Sequence, residues 1–171
     1  KVVRSSMGAI FHLPIEQGVE LEDLNQRFKR FAYLDMQGDK VQPFSSGNDD
    51  RLVAADGGAH LKGGFGRDVL VSGKGYDVLD GGGGVKQATY AADSYVFKPQ
   101  NGHDVVKGFD SFDVLVFEIG TSYPEIRSAQ DIYTSATVQG TDIRLTLDAE
   151  NSVTLRGVAL DALQLSHIIL R

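Results

Sequence analysis

Gly63-Gly64-Phe65-Gly66-Arg67-Asp68-Val69-Leu70-Val71 runs straight into Ser72-Gly73-Lys74-Gly75-Tyr76-Asp77-Val78-Leu79-Asp80. Both nonapeptides obey one rule: small, Gly, any, Gly, any, Asp, any, apolar, any. Steps of nine from the apolar position meet Leu52, Leu61, Leu70, Leu79, Ala88, Phe97, Val106 and Leu115, all of them apolar. The same steps from the acidic position meet Asp50, Ala59, Asp68, Asp77, Lys86, Tyr95, Asp104 and Asp113. One series is unbroken and the other is interrupted.

A nine-residue period has a simple physical meaning: a tight turn followed by a short strand, two such units closing one coil. Strand side chains alternate between faces, so the apolar position of each unit points inward. Glycine supplies the positive φ that lets a turn bend tightly. Turns one full coil apart stack about 4.8 Å from each other. One edge then carries the turns that start at Ser45, Gly63, Gly81 and Pro99, and the other those that start at Ala54, Ser72, Tyr90 and Gly108. Asp50 falls directly below Asp68 on the first edge, the best-formed acidic pair. Asp77 has Ala59 beneath it and Tyr95 above it on the second, with Asp56 and Asp93 two residues off register. Lys86 stands where a carboxylate is expected and would repel or replace a cation.

These motifs resemble the calcium-binding RTX repeat family, parallel β-roll proteins exported by Gram-negative bacteria. The resemblance covers Ser45 to Arg171 and leaves Lys1 to Phe44 outside. It implies an all-β chain: a parallel β-roll over residues 45–117 and a C-terminal β cap with a secretion segment over 118–171, preceded by an N-terminal appendage at 1–44. It implies Ca²⁺ held by turn carbonyls and carboxylates, the hard oxygen donors that ion takes. The positions that match are Asp50, Gly63, Gly64, Gly66, Asp68, Gly73, Gly75, Asp77, Gly81, Gly83 and Asp93. A site at Asp77 draws on either Asp56 or Asp93. Asp104 and Asp113 read instead as turn-closing residues that bond nearby backbone N–H groups.

Net charge and composition limit the alternatives. At 171 residues the chain can bury one real core, and its net charge of −6 argues against nucleic acid. No cysteine is present, which excludes disulfides and thiolate metal sites. No apolar run approaches a membrane span. From Val19 to Leu34 the residues Leu21, Leu24, Phe28, Phe31 and Leu34 recur at helical spacing. That predicts a short amphipathic helix, suited to covering the open end of a coil stack. Downstream, Ile143, Leu145 and Leu147 alternate with polar residues, as do Val153 and Leu155, which predicts cap strands joined by turns at 139–142 and 148–151.

His12 and Glu16 are four apart, but Pro14 between them breaks the helix a zinc-protease motif needs. His60, His103 and His167 are scattered, and no Ser-His-Asp set is evident from the sequence. The expected function is therefore a non-enzymatic accessory module that folds on Ca²⁺ after export. The resemblance implies the type I secretion machinery as a partner, with the tail Leu165–Arg171 as its signal, and a secreted or cell-surface location. A parent catalytic domain and an extracellular polysaccharide are the other partners considered. The alternatives are the terminal region of a surface adhesin, and a polysaccharide-binding or polysaccharide-modifying enzyme module.

Overall fold

The computed structural model describes residues 31–34, 41–44, 49–82 and 92–171. A hairpin comes first: β1 (Phe31–Leu34) pairs antiparallel with β2 (Val41–Phe44). Four three-residue strands follow: β3 (Arg51–Val53), β4 (His60–Lys62), β5 (Val69–Val71) and β6 (Val78–Asp80). They alternate between two sheets, and strands one coil apart pair in parallel. Leu52 lies opposite Leu70, and Leu61 opposite Leu79. Leu61, Leu70 and Leu79 are fully buried, each contributing about 1.5–3 kcal/mol of apolar burial.

The period then slips. Between β6 and β7 (Ser94–Phe97) the chain spends residues 81–93, thirteen where the turn at 63–68 uses six. Tyr95, not Ala88, therefore lies opposite Leu70. The pairing recovers in β8 (His103–Lys107), where Val106 meets Leu79, and in β9 (Val114–Phe117), where Leu115 meets Tyr95. Phe97 stacks on Phe117 with ring centroids 5.1 Å apart. Ala88, which strict nine-residue steps place inside, lies outside the described residues.

Beyond β9 the architecture changes. A short helix α1 (Ala129–Thr134) starts at Ser128, whose side chain accepts the Asp131 N–H, and buries Ile132. Strands β10 (Thr137–Gln139), β11 (Asp142–Thr146) and β12 (Ser152–Leu155) form an antiparallel meander. The two-residue link at Gly140 and Thr141, with Gly140 at φ 66°, matches the twist of a tight hairpin. β12 lies parallel against β8, and β13 (Ile168–Leu170) lies parallel against β9. The larger sheet runs β1-β2-β4-β6-β8-β12-β11-β10 and the smaller runs β13-β9-β7-β5-β3.

The expectation of an all-β chain built on a parallel β-roll with a C-terminal β cap is thus corrected. The chain carries an α-helix, and its eight-stranded sheet is parallel in the middle and antiparallel at both ends. The cause is local: the cap sequence has period-two alternation with short links, two residues at 140–141 and five at 147–151, which favour hairpins over crossovers. The helical appendage is corrected where it can be seen. Phe31–Leu34, the end of the apolar stripe, is the strand β1; Val19 to Arg30 lie outside the described residues, as do His12 and Glu16. No helix among the described residues is long and apolar enough to cross a membrane.

Candidate functional site

Two columns of aspartates run along the edges of the coils. On one edge the Asp50 N–H donates to Asp68 Oδ1 (2.9 Å), the Asp68 N–H to Asp93 Oδ1 (2.8 Å), and the Asp93 N–H to Asp113 Oδ1 (2.8 Å). On the other the Ala59 N–H donates to Asp77 Oδ1 (2.6 Å) and the Asp77 N–H to Asp104 Oδ1 (3.0 Å). The carboxylates of Asp68, Asp77, Asp93, Asp104 and Asp113 each take an N–H of the coil below, a bond that the strand ladder does not supply at a turn. The slip at 81–93 brings Asp93 into register above Asp68, rather than two residues off on the opposite edge. It likewise sets Asp104 above Asp77, in place of Tyr95.

Second carboxylate oxygens are partly engaged as well. Asp77 Oδ2 accepts the Gly73 N–H (2.7 Å), Asp113 Oδ2 the Asp110 N–H (2.9 Å), and Asp104 Oδ2 the Asn101 side-chain amide (2.8 Å). The buried Oδ2 atoms of Asp50 and Asp68 have no hydrogen-bond partner among the described residues. Burial disfavours the charged form of a carboxyl and so raises its pKa. Asp68, Asp104 and Asp113 are pushed up to about 7 and Asp93 to about 6, and burial raises Asp77 too. The neighbouring charges Asp49, Asp50, Asp56 and Asp110 push the same way.

The glycines serve sterics. A Cβ on Gly63 would collide with the Asp68 carboxylate, and one on Gly81 with the Asp93 carboxylate and the Tyr95 hydroxyl. Gly73 leaves room for the Ala55 carbonyl, and Gly64, Gly66 and Gly75 turn the chain at φ of 100°, 112° and 110°. Gly83 lies outside the described residues. Asp56, considered beside Asp77, pairs in solvent with Lys74 at 3.6 Å.

The expectation of Ca²⁺ is therefore corrected. Among the described residues no three His, Cys, Asp or Glu side chains gather as a metal site. In both columns the carboxylate oxygens that face the next coil are occupied by backbone donors.

A different pair emerges where the coils meet the cap. His103 opens β8 and Ser152 opens β12, and the two are direct partners in the parallel register. Their side chains meet at 2.9 Å, His103 Nδ1 to Ser152 Oγ. His103 is exposed, whereas Ser152 is only 2% exposed. Direct partners share a face of the sheet, so Ser152 lies on the outer face beneath the imidazole. Sequence reading found no Ser–His arrangement because the two are 49 residues apart; only the β8–β12 pairing unites them. The expectation of a non-enzymatic module without a Ser–His set is corrected by this contact, since a hydroxyl bonded to an imidazole is the core of a nucleophile–base pair.

No family model matches the chain, and no curated protein matches it. Among solved structures it is similar to the extracellular lipase LipA from Serratia marcescens, with 27% identity and a TM-score of 0.43 over 81% of this chain. The chain spans 22% of that lipase's length. At that TM-score the likeness does not establish a shared fold. The resemblance to the calcium-binding RTX family, and with it the reading as a calcium-folded accessory module, is corrected on three findings: the mixed α/β architecture, the absence of a metal-ligand group among the described residues, and the His103–Ser152 pair.

Proposed function

We propose that this chain is a module of an extracellular hydrolytic or polysaccharide-modifying enzyme, with His103 and Ser152 as its chemical pair. The contact between Ser152 Oγ and His103 Nδ1 at 2.9 Å carries the reading. With Nδ1 unprotonated, the imidazole accepts the hydroxyl proton as Oγ attacks an ester or similar acyl carbon. The same proton then passes to the leaving group as the carbon–oxygen bond breaks. The exposed imidazole is the first group a substrate meets, and Oγ lies directly beneath it. An open outer face of a sheet suits an extended polymer better than a small molecule, which needs enclosure.

Location outside the cell and export by a type I machinery belong to this proposal. The tail expected to carry the export signal is folded as a single turn at Leu165–His167 followed by β13, with Ile168 buried. On this reading, export precedes folding of the tail.

The test is turnover of an activated ester and of soluble polysaccharides by the purified chain. Wild-type turnover that vanishes in Ser152→Ala and His103→Gln, with circular dichroism unchanged, supports the pair. A wild-type chain without turnover, or a Ser152→Ala variant with full activity, overturns it.

A further inference from the structure

The turn that precedes Ser152 is bolted to the loop that precedes His103, and one side chain makes the bolt. Asn151 is 94% removed from solvent by its 6% exposure, and its Oδ1 accepts the Gly102 N–H at 2.9 Å. The Ser152 N–H donates to the Gly102 carbonyl at 2.8 Å, so the two loops are joined by two bonds on one residue, Gly102. Asn151 is held in turn by Asp148, whose Oδ1 accepts its backbone N–H and its side-chain amide, both at 2.8 Å. The same Oδ1 accepts the Glu150 N–H at 2.8 Å. Gly102, at φ 77°, leaves space that a Cβ would fill against the Gly75 carbonyl. The loop can therefore sit only where a glycine permits.

We infer that Asn151 is the positioning residue of the His103–Ser152 pair, fixing the hydroxyl under the imidazole by tying the cap turn 148–151 to Gly102. The inference rests on the proposed hydrolytic reading for its chemistry, and on the hydrogen bonds alone for its geometry. The parallel register brings residues 103 and 152 opposite each other, and at that end of the pair one backbone bond, from the Ser152 N–H to the Gly102 carbonyl, holds it. Asn151 adds a second anchor, because its amide can accept from Gly102 and donate to Asp148 at once.

The test compares Asn151→Ala with Asn151→Asp in the whole chain. It follows ester turnover together with the His103 ring titration by nuclear magnetic resonance, with Ser152→Ala as the reference for a broken contact. Asn151→Ala is expected to lower turnover about ten- to a hundredfold, the scale of a misplacement near 1 Å, and to bring the His103 titration to that of Ser152→Ala. Asn151→Asp keeps an acceptor for Gly102 but replaces the donor to Asp148 with a second carboxylate. It is therefore expected to lower turnover by less than the alanine variant and to move the His103 titration. Turnover and titration unchanged in it overturn the positioning role even if the alanine variant fails to fold. A variant that is merely less stable, with His103 titrating as in wild type, overturns the positioning role. A wild-type chain without turnover whose His103 titration still shifts in Asn151→Ala sinks the hydrolytic reading and leaves the positioning intact.

Discussion

Aspartate does opposite things in the two halves of this molecule. In the coils, Asp68, Asp93, Asp104 and Asp113 accept backbone N–H groups and still hold their protons up to about 6 or 7, because burial outweighs the bonds. In the cap, Asp131 and Asp142 accept backbone N–H groups in solvent and sit below the usual range, from Arg127 and Gly157 respectively. Asp148 sits lower as well, its slight burial overcome by bonds from Asn151 and Glu150. The chemical bond is the same, and desolvation decides its sign. The coils are held by apolar rungs and buried carboxyls, the cap by apolar strands and solvent-facing caps.

The largest test of that contrast is the rung itself. Leu70→Ala removes a fully buried side chain between Leu52 and Tyr95 and is expected to lower unfolding free energy by about 2–5 kcal/mol in urea titration. A loss below that range would mean that the carboxyl columns, not the rungs, hold the coils. Asp104→Ala comes next. It strands the buried Asp77 N–H and the Asn101 amide and is expected to cost about 1–3 kcal/mol per unsatisfied group.

The pH response separates the two halves most directly. A carboxyl whose folded pKa is raised stabilises the native state below its unfolded pKa, near 4, and that stability is lost as pH rises through about 6 to 7. Melting temperature is therefore expected to fall between pH 4 and pH 8, and Asp68→Asn, which keeps an acceptor for Asp50, is expected to flatten the curve. The cap acids carry the opposite sign and act below about pH 4, where their contribution is lost as pH falls. A melting temperature that stays flat or rises between pH 4 and pH 8 would therefore overturn the role given to the coil carboxyls. The smallest effect belongs to Ser128→Ala, which removes the α1 cap bond to the Asp131 N–H and is expected to cost about 1 kcal/mol.

The sequence made the rungs legible at Leu52, Leu61, Leu70 and Leu79, since a fixed period and an apolar residue suffice to place a side chain inside. It made the turn grammar legible as well. It did not show that thirteen residues separate β6 from β7, so the stepping by nine put Ala88 where Tyr95 belongs and Phe97 where Val106 belongs, and separated Asp93 from Asp68. Period-counting fails at an insertion because strand pairing, not chain length, sets the register. The His103–Ser152 pair was illegible for a related reason. Neither residue lies in a motif, and only a long-range parallel pairing makes them neighbours. The antiparallel cap was readable as alternating strands, but the sharp change of direction from the coils was not.

That change of direction has a consequence for assembly. A column of parallel laps ends in a ready template on which another lap, or another molecule, could pile without limit. Here the larger sheet doubles back through β12, β11 and β10, so its last ribbon is a three-residue strand flanked by a hairpin and a helix rather than a fresh lap. The meander thus acts as a full stop at that rim, turning a motif able to grow into a fibre into a particle of fixed length.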